Sequence, residues 1–93
     1  MEATICSAIS DQLVVSFDYK GKRRRVEPHT LGVHGNGSVT LCGWQLSGGS
    51  GESWRDFLIE EMSALRIENE AFTGPRAGYR RGDQTLQRVI CQL

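Results

Sequence analysis

The stretch Tyr19-Lys-Gly-Lys-Arg-Arg-Arg-Val-Glu-Pro28 decides how this chain folds, and His29 follows it directly. Before it, Leu13, Val15 and Phe17 alternate with Val14, Ser16 and Asp18, the period-2 pattern of a β-strand. Lys20-Gly21-Lys22 supplies a tight turn. Residues 23–29 then return as a strand, with Arg24, Val26 and Pro28 on one face and Arg23, Arg25 and Glu27 on the other. Pro28 has no N–H to give a ladder, so it marks an edge or a strand end. The stretch is a β-hairpin whose tip and returning arm carry five positive charges from Lys20 to Arg25. A guanidinium block beside a tyrosine and a histidine suits an anion or nucleotide contact. The alternative is a solvated tip whose charges guard a sheet edge against aggregation.

Outward from the hairpin, residues 3–11 read as a short helix, with Ile5, Ala8 and Ile9 at helical spacing and Glu2 at its start. So short a helix must pack on something. Residues 30–34 read as a third strand, Gly35-Asn36-Gly37 as a hairpin turn with positive φ at both central positions, and residues 38–45 as a fourth strand. Residues 47–53 form a glycine-serine loop, and residues 54–59 a fifth strand. Residues 64–69 are a strand candidate, with helix open from 60 to 66. Residues 72–82 form an irregular arm, and 86–93 a last strand or short helix. Many short strands with closely spaced turns predict a single mainly β domain over residues 1–93: helix 3–11, barrel 12–69, C-terminal arm 70–93. The expected form is a small barrel of five to six strands with the N-terminal helix covering one end.

The 93 residues carry 11 basic and 11 acidic side chains, so charge is segregated along the chain rather than accumulated. Neutral net charge argues against a dedicated duplex-DNA binder, whose affinity comes from neutralising phosphates. No apolar run reaches the roughly 20 residues needed to cross a bilayer, and the N-terminus lacks the signal-peptide pattern. Cys6, Cys42 and Cys91 are odd in number, widely spaced and flanked by apolar residues. They are expected to be reduced and mostly buried in a cytoplasmic protein. No Cys-x-x-Cys occurs, so no metal site is expected, and no cofactor.

The chain resembles a short stand-alone WYL domain. The resemblance rests on Ala8-Ile9 running into the strand ending at Tyr19, on Arg24-x-Val26-x-Pro28-His29, and on Leu41 ahead of Gly43-Trp44. It continues with Trp54-Arg55-x-Phe57, Phe72 and Pro75-Arg76-x-Gly78-Tyr79. These run in the family's order over residues 5–91. Of the three residues that name the family, falling at Val39, Thr40 and Leu41, only the leucine is kept. Where the family often has a basic residue and then an isoleucine, this chain has Glu61 and Met62. The resemblance implies an Sm-like β-barrel with a basic and polar pocket that senses a nucleotide or single-stranded nucleic acid. In bacterial transcription regulators such a domain usually follows a DNA-binding winged helix.

The expected ligand-binding residues are Tyr19, Arg24, His29 and Arg55, converging on one positive concave surface. Arg24 and Arg55 would grip phosphate, Tyr19 would stack on a base, and His29 would donate to an anion. The alternatives are a salt bridge from Arg24 to Asp18 or Asp56, a core tyrosine, and a strand-end histidine. Arg76, Tyr79, Arg80 and Arg81 form a second basic-aromatic patch. Trp44 and Trp54 read as packing more than as stacking platforms. The glycines of residues 47–53 lack the lysine of a phosphate loop. No catalytic residue is expected: no nucleophile motif surrounds Cys6 or Cys42, and Glu60 and Glu61 point apart on a strand. The expectation is a non-catalytic sensing module, or else a protein-interaction barrel, acting as a homodimer or on a regulatory partner, with a vestigial pocket.

Overall fold

A computed structural model describes residues 1–81 and 86–93 of the chain. Residue 82, the end of the expected arm, lies outside them. The element order is α1 (Glu2–Asp11), β1 (Leu13–Tyr19), β2 (Lys22–Val33), β3 (Val39–Ser47), β4 (Ser53–Leu58), β5 (Met62–Ala71) and β6 (Arg88–Gln92). A single 3-10 turn, Ile59–Glu61, joins β4 to β5. The fold is thus mainly β with one N-terminal helix. All pairings among the described strands are antiparallel, in the order β4-β3-β2-β1-β5, with β6 added to β2.

The first hairpin turns over two residues. Tyr19 pairs with Lys22, and Lys20 and Gly21 both take positive φ, 50° and 79°. That geometry matches the twist of the flanking strands. The second hairpin differs from its sequence reading. Only Gly37 has positive φ (87°), Asn36 does not. Gly37 N–H donates to the His34 carbonyl, and Asn36 Oδ1 accepts from the Ser38 N–H at 3.0 Å. The connection is a three-residue loop ending in one left-handed glycine.

The second and third strands of the sequence reading are one continuous strand, β2. Between Pro28↔Gly43 and Thr30↔Cys42, β2 advances two residues while β3 advances one. His29 is therefore the inserted residue of a β-bulge, and the break in alternation is a kink rather than a strand end. Pro28 lies where β1 has ceased to pair with β2 (Val15↔Val26) and β6 has not yet begun (Thr30↔Gln92). A residue without an N–H is tolerated in that gap.

Ile5, Ala8 and Ile9 of α1 are buried against a core of Val15, Phe17, Tyr19, Val26, Leu31, Leu41 and Phe57. Phe17, Tyr19 and Phe57 meet edge to face with centroids 4.9–6.3 Å apart, an arrangement worth about 0.5–1.5 kcal/mol per pair beyond area burial.

The cysteine expectation is corrected. Cys6 of α1 and Cys91 of β6 form a disulfide, their Cα atoms 5.8 Å apart, and half-buried Cys42 takes no part in it. The two partners are 85 residues apart and meet only because β6 returns to the end of β2 covered by α1. The cytoplasmic reading loses the support it drew from reduced thiols. No helix among the described residues is long and apolar enough to cross a membrane.

Candidate functional site

Alternation on the strands places chemistry on two sides of the sheet. Arg24, Val26, Leu41, Gln45, Arg55 and Phe57 belong to the core-facing rows. Glu27, Trp44, Trp54 and Asp56 belong to the outer rows, which residues 72–81 partly cover.

Three consecutive arginines have different fates, Arg24 facing the core and Arg23 and Arg25 the opposite face. Arg23 pairs with Asp18 at 3.1 Å and donates to the Ala64 carbonyl and the Ser16 hydroxyl. Arg25 pairs with Glu70. Arg24 is only 8% exposed, and no carboxylate of the described residues is paired with it. Asp18, one of its expected partners, is taken by Arg23, and Asp56 lies on the outer rows. Its guanidinium instead donates to Gln45 Oε1 at 3.0 Å and to the Tyr19 carbonyl at 3.1 Å. It lies over the rings of Tyr19 and Phe57, 5.5 and 5.9 Å from their centroids. Its Nε is buried with no hydrogen-bond partner. Cation–π contacts and neutral acceptors offset part of the desolvation of this charge, but a buried cation is fully compensated only by a paired anion.

Arg55 shares the core-facing row of β4 with Phe57. It donates to the Ser50 hydroxyl at 2.9 Å, and its Nε is also buried without a partner. Fully buried Gln45 donates to the Gly51 carbonyl at 3.0 Å. The glycine-serine loop is thereby drawn onto both arginines. A Cβ on Gly48, whose φ is 103°, would collide with the backbone of Arg23 and Arg24. Only glycine lets the loop approach this closely. Two unpartnered Nε groups, a serine hydroxyl and a glycine-rich backbone suit a phosphate or carboxylate.

Tyr19 is placed beside Arg24, but its expected stacking role is corrected. The ring is 7% exposed and packed edge-on against Phe17 and Phe57, and its hydroxyl accepts the Leu58 N–H at 3.1 Å. It is a wall of the cluster and has no open face for a base.

His29 does not join this cluster. It is fully buried on the outer side, 4.7 Å from Trp54, 5.6 Å from Phe72 and 5.2 Å from Tyr79, centroid to centroid. The Arg76 N–H donates to its Nε2 at 3.1 Å, so Nε2 carries no proton, and Nδ1–H donates to the Glu27 carbonyl at 2.8 Å. Both nitrogens are committed in the neutral ring. Burial is the main cause that lowers its pKa, with Arg76 adding in the same direction and Glu27 opposing. The expectation that His29 donates to an anion is corrected: it anchors the arm.

In the second basic patch, three of the four residues are engaged within the fold. Arg76 grips Glu27 with two bonds, 2.7 and 3.0 Å, and lies over Trp44. This hydrogen bonding raises the Arg76 pKa. Tyr79 Oη and Arg81 Nε both donate to the Leu93 carbonyl at 3.0 Å. Among the described residues, Arg80 alone of these arginines has no such partner. Trp44 and Trp54 pair across β3 and β4 on the outer face, 5.7 Å apart, and donate to Glu52 and the Ala77 carbonyl.

Sequence reasoning missed Gln45, Ser50 and Glu27. Gln45 had a signal, a polar residue continuing the core row of Val39, Leu41 and Gly43. Ser50 had none beyond the loop's composition. Among the described residues no group of side chains suits a metal ion. Comparison with known proteins returns no matching family model, no matching curated protein and no matching solved structure.

Proposed function

We propose that this chain is a non-catalytic binding module that takes the phosphate of a nucleotide or of single-stranded nucleic acid at Arg24 and Arg55, beneath loop residues 48–51. One observation carries the reading: Arg23 and Arg25 have carboxylate partners, while the buried Arg24 between them has none among the described residues. The WYL-like sequence pattern supports the same ligand class, and an Sm-like barrel closed through β4 and β5 is the form that pattern implies. Because Tyr19 is a wall and His29 an anchor, recognition centres on the phosphate, and the base contributes less than a stacking platform would give.

A ligand that binds only the folded state raises apparent stability by mass action. Nucleoside mono- and triphosphates and short oligothymidylates should therefore raise the melting temperature in low salt, and the matching nucleosides should not. Equal shifts from nucleosides, or none from any phosphate, would reject the reading. A protein-interaction module is the second reading. It is favoured by the sheet order, which ends in β4 and β5, and by Ile67 of β5, 38% exposed. Light scattering that shows a concentration-dependent dimer would support it.

A further inference from the structure

The outer face holds a concavity that the phosphate reading leaves unused. It has a volume of about 230 Å³ and lies between the sheet and residues 78–80. Thr30 and Asp56 flank Cys42 in register, so the three make a polar row across β2, β3 and β4. Trp54 and Tyr79 form an aromatic wall, ring planes 25° apart and centroids 6.4 Å apart. Both rings are held in place: Trp54 Nε1 donates to the Ala77 carbonyl and Tyr79 Oη to the Leu93 carbonyl. Gly78 has φ 92°, and a Cβ there would stand 3.0 Å from Trp54 Nε1, so the wall needs glycine at that place.

Asp56 and Arg80 line the same cavity. Among the described residues, neither makes an ion pair or a side-chain hydrogen bond, and they do not bridge each other. Unpaired exposed charges are ordinary when scattered. Here an anion and a cation border one concavity with a fixed apolar wall, and that arrangement is complementary to a small molecule bearing both charges.

We propose that this cavity binds a free α-amino acid, with its ammonium toward Asp56, its carboxylate toward Arg80 and its side chain along Trp54 and Tyr79. The volume lies below the roughly 300–1,000 Å³ of pockets for drug-sized ligands, which suits a small occupant. Its chemistry and its residues are separate from the Arg24 site.

The test is titration followed by tryptophan fluorescence at neutral pH, because Trp54 lines the cavity. The probes are L-leucine and L-phenylalanine, with isoamylamine, isovalerate and N-acetyl-leucine amide as partial mimics. Saturable binding of the free amino acids is expected, at least tenfold tighter than any partial mimic. Asp56→Asn and Arg80→Gln, both at exposed positions, should each weaken binding tenfold or more with an unchanged circular dichroism spectrum. Arg55→Ala should leave it unchanged. No saturable response to the amino acids overturns the proposal. So do partial mimics that bind equally well, or charge variants that bind like the parent.

Discussion

Arg24 and His29 are both buried polar residues of β2, and the difference between them is the most instructive feature of the molecule. His29 has a partner for each nitrogen, whereas Arg24 has a donor to spare and, among the described residues, no carboxylate. A satisfied buried group is structural, whereas an unsatisfied one calls for an explanation, which the proposed phosphate would supply at Arg24. The His29 arrangement holds only for the neutral ring, since a proton on Nε2 would face the Arg76 N–H. The groups around it are the Glu27 carboxylate and carbonyl from β2, and Arg76 and Tyr79 from the arm. Its folded-state pKa lies below the ordinary 6.5. The unfolded chain therefore takes up the proton first as pH falls. The stabilisation is complete above about pH 6.5 and is lost progressively between that value and the lower folded-state pKa. Denaturant unfolding from pH 8 to pH 5 should show this fall, and His29→Gln should flatten it. An unchanged slope in the variant would contradict the anchor role.

At the scale of elements, the first hairpin was legible because alternation and a Lys-Gly turn are local signals. The bulge at His29 was not. Its cause is the register between β2 and β3, set by residues more than ten positions apart. The same limit applies to the site. Arg24 and Arg55 were named from the sequence, and both lie on core-facing rows. The sequence could not show that Asp18 is taken by Arg23, or that Arg76 is neutralised by Glu27, because both depend on which face of a kinked strand each residue occupies. The register has a measurable consequence at Gly43. A Cβ there would stand 2.6 Å from the Glu27 carbonyl oxygen and from Val26 Cγ1. Gly43→Ala should therefore destabilise the fold by about 1–3 kcal/mol, the usual effect of overpacking. Chemical denaturation checks this, and a variant as stable as the parent would refute the register.

At the scale of the whole molecule, the two ends of the chain are tied together. α1 covers the core, β6 completes the edge of β2, and Cys6–Cys91 joins them. A crosslink closing so long a loop restricts the unfolded chain and contributes about 2–4 kcal/mol. In a domain of this size that is a fall in melting temperature on the order of 10 °C on reduction. Cys6→Ser with Cys91→Ser should reproduce the fall and abolish the response to dithiothreitol, whereas Cys42→Ser should keep it. Identical melting with and without reductant would contradict the bridge. The two proposed sites lie on opposite sides of the sheet, so ligands at one should leave the other's residues untouched.

The measurement that bears most directly on the central claim is calorimetric titration of a short oligothymidylate into the parent protein, Arg55→Ala and Arg24→Gln, in low and in moderate salt. The account predicts saturable binding by the parent, weakened by salt. It predicts a loss of about 1–3 kcal/mol in Arg55→Ala, the range for a charge-assisted hydrogen bond, and a loss at least as large in Arg24→Gln wherever that variant remains folded. Binding that is independent of salt, or an Arg55→Ala protein that binds like the parent, would contradict it.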